Sequence, residues 1–203
     1  MGPGYDQGRL IDLLKRDALR TGTFTLASGR TSHYYVDGRT VTLSAEGAAL
    51  IGAGVLEALA DLPGVQAVGG LTMGADPIVG ATLAAAGAGG WPGLRGFLVR
   101  KEAKGHGTGK LVEGPLRPGM VVAIVDDVAT TGGSSLQAVA AVEAIGCTVA
   151  RIIVVLDRLE GAAFAFVDRG YDYRALTTIR DLGVEPLATH APEVEMLPPL
   201  QGP

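Results

Sequence analysis

From Val65 onward the chain alternates short, nearly continuous apolar runs with segments of helical periodicity, and this alternation limits the fold more than any other feature. Residues 65–68, 96–99, 121–125, 149–156 and 173–176 read as strands, and residues 77–86, 134–145 and 160–167 read as helices between them. Strands that are apolar at consecutive positions are buried on both faces, the condition of a parallel sheet with helices on either side. The expected class is therefore α/β with a central parallel sheet, and such sheets take ligands beyond the carboxyl ends of their strands. Ahead of this region, Leu10, Ile11, Leu13, Leu14 and Ala18 recur at helical spacing. Residues 23–41, rich in Thr, Ser and aromatics, suit short strands and turns. Ser44 should cap a helix reaching about residue 60, with Glu46 at the positive end of its dipole.

Composition narrows the function. A chain of 203 residues that is 47% hydrophobic and 19% charged has the material for one globular domain with a proper core. We expect residues 1–203 to form a single domain, with an irregular, proline-rich tail from residue 191. A net charge of −4 excludes a general nucleic-acid binder but allows a local basic cluster for one small polyanion. The single cysteine, Cys147, reads as a small buried apolar residue, and a lone cysteine suits a reducing compartment. Residues 1–6 lack the basic start and apolar stretch of a secretory leader, and no apolar run is long enough to span a membrane, so a cytoplasmic location is expected.

The chemistry is concentrated at residues 121–135, Val-Val-Ala-Ile-Val-Asp-Asp-Val-Ala-Thr-Thr-Gly-Gly-Ser-Ser. Five apolar residues form a strand with Asp126 and Asp127 just past it. Adjacent carboxylates repel each other, and a sugar diol or a metal ion would relieve that repulsion. Thr130, Thr131, Gly132, Gly133 and Ser134 follow, leading into a helix. Glycines admit close backbone approach, and amides, hydroxyls and the helix dipole all favour an anion. Asp-Asp alone is equally well a solvated turn before a Thr/Ser helix cap; it is the whole run that argues for a diol or metal site beside a monophosphate cradle. A P-loop is excluded by the spacing of residues 105–110, and no Gly-x-Gly-x-x-Gly follows a strand.

This run resembles the signature of the type I phosphoribosyltransferases. The resemblance implies that the acidic pair holds the ribose hydroxyls of phosphoribosyl pyrophosphate, and that Ala129 and residues 130–134 wrap its 5′-phosphate. Four more segments are similar to the orotate-using branch of that family. Arg100-Lys-Glu-Ala-Lys-Gly-His-Gly resembles its catalytic loop, where Arg100, Lys101, Lys104 and His106 would repel one another unless they met a polyanion such as pyrophosphate. Residues 24–39 resemble the N-terminal hood over the base, and residues 69–77 a loop that approaches pyrophosphate with backbone amides. Residues 156–161, Leu-Asp-Arg-Leu-Glu-Gly, resemble a strand end whose arginine, here Arg158, takes the orotate carboxylate. A guanidinium fork suits a planar carboxylate. The competing role for Arg158 is an ion pair with Asp157 or Glu160.

By this resemblance the fold is that of a type I phosphoribosyltransferase, with residues 1–42 supplying a helix and the hood. The catalytic residues are Lys101, Lys104, His106, Asp126 and Asp127, and orotate meets Tyr34, Tyr35, Thr130 and Arg158. Mg²⁺ enters with the substrate, with Asp126 and Asp127 as its candidate protein ligands. A homodimer with catalytic loops shared between subunits is implied, with neither nucleic acid nor membrane as partner. Two departures stand out: many relatives carry a phosphate-contacting lysine where this chain has Ala27, and some where it has Gly74. His33 reads as a turn residue and His190 as a surface one. The alternatives are the same fold acting on a purine or uracil, or a non-catalytic regulator that senses phosphoribosyl pyrophosphate. The latter would need a basic face.

Overall fold

A computed structural model describes residues 4–25, 29, 31–102 and 110–187. Helix α1 (Gln7–Leu13), whose amino end is capped by Asp6, runs on into a π-helical turn at Leu14–Ala18. The strands β1 (Leu19–Thr25) and β2 (Thr31–Val36) form an antiparallel pair with a register shift between Thr21 and Phe24. His33 therefore lies within a strand, not in the turn expected of it. After α2 (Arg39–Thr42), helix α3 (Ala45–Ala58) begins as anticipated, the Ser44 hydroxyl accepting from Gly47 N at 3.0 Å.

The α/β part follows as β3 (Ala67–Leu71), α4 (Ala75–Ala88), β4 (Arg95–Val99), β5 (Val112–Glu113), β6 (Val121–Ala129), α5 (Gly133–Glu143), β7 (Thr148–Asp157), α6 (Ala162–Val167) and β8 (Tyr173–Thr178). The sheet order is β5-β4-β3-β6-β7-β8, parallel throughout except for β5, which is antiparallel to β4. Its two faces bury separate cores. Ala123, Val125, Ile153 and Val155 pack with α3, α4 and α1, while Val122, Ile124, Ile152 and Val154 pack with α5 and α6. This double burial is what the continuous apolar strands required. Cys147 is buried on the second face.

Three boundaries differ from the sequence reading in ways that matter for the site. Strand β6 does not stop before the aspartates: its ladder with β7 continues through Asp126 opposite Val154 and Ala129 opposite Asp157. The aspartates are thus strand residues, held by the neighbouring strand's hydrogen bonds. Helix α5 starts at Gly133 because Gly132 takes a left-handed turn at φ 81°, a conformation that costs glycine little. Helix α6 starts after Gly161, so Glu160 belongs to the preceding turn. The two-residue β5 falls in a stretch to which the sequence reading assigns no strand. Among the described residues no helix is long and apolar enough to cross a membrane.

Candidate active site

The carboxyl ends of β3, β6 and β7 meet at the acidic pair. Asp126 is only 6% exposed; its Oδ2 accepts the Ser135 hydroxyl at 3.0 Å and its Oδ1 accepts the Asp127 amide at 3.0 Å. Burial, reinforced by the neighbouring Asp127 charge, raises the Asp126 pKa to about 7, with the Ser135 and Asp127 amide bonds pulling the other way. Asp127 is half-buried, and its Oδ1 accepts the Val128 amide at 2.9 Å. The pair therefore has structural partners of its own in Ser135 and the adjacent amides. Ser135, in the first turn of α5, restrains Asp126 and leaves Asp127 facing open space.

That space is a cleft of about 270 Å³, lined by Asp126, Asp127, Ser134, Lys101, Gly74 and Arg39 among others. Gly74 explains its own identity. A Cβ there would come within 2.6 Å of Asp127 Oδ1 and 2.9 Å of Asp126 Oδ1, so a longer residue would force the carboxylates to move. Gly74 is also the residue before α4, so that helix's positive end approaches the two carboxylates. Arg39 went unnoticed in the sequence. Its guanidinium forks onto Asp37, with Nε 2.9 Å from Oδ1 and Nη2 3.1 Å from Oδ2, and it also feels the charge of Asp127. No local pattern pointed to it, because its neighbour Asp127 is remote in the chain.

The segment from Thr130 to Ser134 is anchored from below. The Thr130 carbonyl accepts Ala162 N at 3.1 Å, Gly132 packs against Phe166, and Thr131, Gly133 and Ser134 stay exposed. Next to it, Arg158 N donates to the Ala129 carbonyl at 3.0 Å, which fastens the end of β7 to the end of β6. The competing ion pair for Arg158 does form: Nη2 lies 2.7 Å from Glu160 Oε1. The guanidinium carbon also sits 4.9 Å from the centroid of the Tyr34 ring.

The neighbouring tyrosines separate. Tyr34 is completely buried against Arg158 and Glu160, whereas Tyr35 is 40% exposed, tilts against Phe24 and lines the cleft. Tyr35 also borders a second cavity of about 440 Å³ with Arg20, Phe24 and Asp37. Lys101 reaches the cleft, and its carbonyl is held by the Gln137 side chain at 3.0 Å. Arg100 is turned away and paired with Glu113 at 3.0 Å, and it does not line the cleft. Lys104, His106, Ala27, His190 and the tail from 191 lie outside the described residues.

Residues 68–188, more than half of the chain, match the phosphoribosyl transferase domain. The orotate phosphoribosyltransferase of Rhodopirellula baltica is 50% identical over 186 residues, covering 89% of this chain and 96% of that protein. The chain belongs to the orotate phosphoribosyltransferases. A second member of the family, from Thermosynechococcus vestitus, is 48% identical over 85% of this chain and 90% of its own length. The Mycobacterium tuberculosis orotate phosphoribosyltransferase, solved in complex with 5-phospho-α-D-ribosyl 1-diphosphate, superposes with a TM-score of 0.74 at 39% identity. That match covers 88% of this chain and 99% of the mycobacterial one. Membership in the orotate phosphoribosyltransferase family agrees with both the parallel sheet and the small N-terminal hairpin above it.

Proposed function

We propose that the protein transfers the 5-phosphoribosyl group of phosphoribosyl pyrophosphate to N1 of orotate, giving orotidine 5′-monophosphate and pyrophosphate in UMP biosynthesis. The observation that carries this reading is the backbone bond from Arg158 to Ala129. It ties the backbone of Arg158, whose fork suits a planar carboxylate, to the strand that carries the acidic pair suited to a diol.

The bond between ribose C1 and pyrophosphate breaks as orotate N1 attacks, through a transition state with positive charge on the sugar and growing negative charge on the leaving group. Positioning and electrostatic stabilisation supply most of the acceleration. Asp126 and Asp127 accept from the ribose hydroxyls and orient the ring. Ala129 and residues 130–134 cradle the 5′-phosphate with amides and hydroxyls. Lys101, with Lys104 and His106, covers the departing pyrophosphate, and an imidazole at His106 is suited to deliver a proton near neutral pH. Arg100 would join them only by leaving Glu113. Tyr35, Thr130 and Arg158 face the base, and Tyr34 acts from behind Arg158.

The residues present fit Mg²⁺ brought in by the substrate. Asp126 and Asp127 offer hard oxygens at the cleft, and among the described residues no group of three or more His, Cys, Asp or Glu stands ready to hold a metal alone. One or two carboxylates completed by substrate oxygens and water is a common Mg²⁺ arrangement. When bound there, the ion would offset the negative charge of the pyrophosphate.

The test is the absorbance of orotate. We expect it to fall only when phosphoribosyl pyrophosphate and Mg²⁺ are both added, with no turnover of adenine or uracil. Consumption of another base in place of orotate would overturn the assignment. We further infer a homodimer whose Lys101–His106 loop serves the neighbouring subunit. Mixing inactive Lys104→Ala and Asp127→Asn chains under exchange should then restore about a quarter of the sites, since about half the dimers are mixed and each has one intact site. Loops that act within their own subunit leave the mixture dead.

A further inference from the structure

The turn after β7 contains a buried charge that the reaction described above does not use. Glu160 is 6% exposed, and its Oε1 is shared by two groups: the Tyr34 hydroxyl donates to it at 3.0 Å, and Arg158 Nη2 lies 2.7 Å away. A buried carboxylate is retained at a cost unless it is paired, and here the pairing joins three residues from two distant parts of the chain. The turn itself is held in an unusual shape. Leu159, between Arg158 and Glu160, has φ 58°, and its amide donates to Asp157 Oδ1 at 2.7 Å. Asp157 is in turn fixed by the Tyr173 hydroxyl at 2.8 Å. A left-handed conformation at a leucine persists only where its surroundings determine it, and such positions gather at ligand sites.

The contact between Arg158 and Glu160 is coulombic. Nη2 is buried, yet among the described residues it has no acceptor in a hydrogen-bonding direction. Glu160 thus restrains the guanidinium by charge, the guanidinium carbon sits over the Tyr34 ring at 4.9 Å, and Nε donates to the Tyr34 hydroxyl at 3.4 Å.

We propose that Glu160 is a positioning residue that holds Arg158 against Tyr34 in the one orientation suited to the anionic base. This rests on the reading that Arg158 takes the carboxylate of orotate. An arginine side chain without such a restraint samples many rotamers, and freezing them on binding weakens the complex.

The test uses Glu160→Gln, which keeps the shape and the acceptor for Tyr34 but removes the charge. Its orotate KM should rise about ten-fold, while the KM for phosphoribosyl pyrophosphate and kcat at saturation stay within about two-fold. Built onto Arg158→Ala, the same substitution should add nothing to the orotate KM, because it acts only through that arginine. Three outcomes overturn the proposal while leaving Arg158 in its role: an unchanged orotate KM, one that falls because Glu160 merely competes with the base, or a rise of both substrates' KM values together. An Arg158→Ala chain with normal orotate KM would remove the underlying reading as well, and is told apart by that single variant.

Discussion

Asp127→Asn is expected to lower kcat/KM for phosphoribosyl pyrophosphate by at least about a hundred-fold, since each charge-assisted hydrogen bond contributes about 1.5–3 kcal/mol and a diol makes two. The fold should barely notice. Asp127 is half-buried, its side chain accepts the adjacent Val128 amide, and removing its charge relieves the repulsion on Asp126. The pH dependence gives a second readout. In the folded chain Asp126 keeps its proton up to about pH 7, well above the ordinary carboxylate range. The native state therefore binds more protons than the unfolded one across that window, and this residue's contribution to stability declines as pH rises through it. Donor affinity should move the opposite way and improve as pH passes neutrality, because an ionised Asp126 is the better acceptor. In Asp127→Asn the rise should shift to lower pH without reaching the ordinary value, because burial, the larger cause, persists. Initial rates at limiting donor on both sides of neutrality would measure both effects. Near-normal turnover there would remove the diol role from the pair.

Arg158→Ala should raise the orotate KM roughly ten- to a hundred-fold and leave donor binding intact, the equivalent of one lost charge-assisted contact of about 1.5–3 kcal/mol. Binding of orotate analogues without the carboxylate, read as inhibition, should be affected far less, and equal losses for both would reject the assignment. Stability must be followed in parallel. The substitution strands Glu160, whose side chain is 3% exposed, and leaving one member of a buried pair alone can cost about 3–5 kcal/mol. Adding Glu160→Gln should recover much of that loss in a thermal melt but none of the orotate KM. The two kinds of damage are thereby separated.

The sheet was legible because its strands are apolar at successive positions, a pattern with few other solutions. The part of β6 beyond Val125 was not, since two aspartates interrupt the pattern and only pairing with β7 carries the strand onward. The site divides the same way. Asp126, Asp127 and residues 130–134 are contiguous, so one segment announces them. Arg158 and Glu160 are two residues apart, and their pairing was foreseeable as a rival role. What no local window contains is Tyr34 closing on that pair from 126 positions away, Arg39 within reach of Asp127, or Gly74 pressed against two carboxylates. Those contacts exist only after the hairpin, α2 and α4 have been brought to the ends of β6 and β7. Arg100 belongs to the suggestive basic run by sequence, and in the fold its side chain is paired with Glu113, its neighbour across the antiparallel β4–β5 corner.

The separation of Tyr34 from Tyr35 carries a constraint on how this chain can vary. Side chains in a strand alternate with a period of two, so inserting or deleting a single residue between Thr31 and Tyr34 exchanges the two faces of all that precedes it or all that follows. The inward tyrosine would turn to solvent and its neighbour would be driven into Arg158. Substitutions within β2 change one contact at a time, whereas a change of length there reverses the hairpin's inside and outside. Drift in length must therefore be absorbed outside this strand, and the hairpin can be rewritten in composition far more freely than it can be re-spaced.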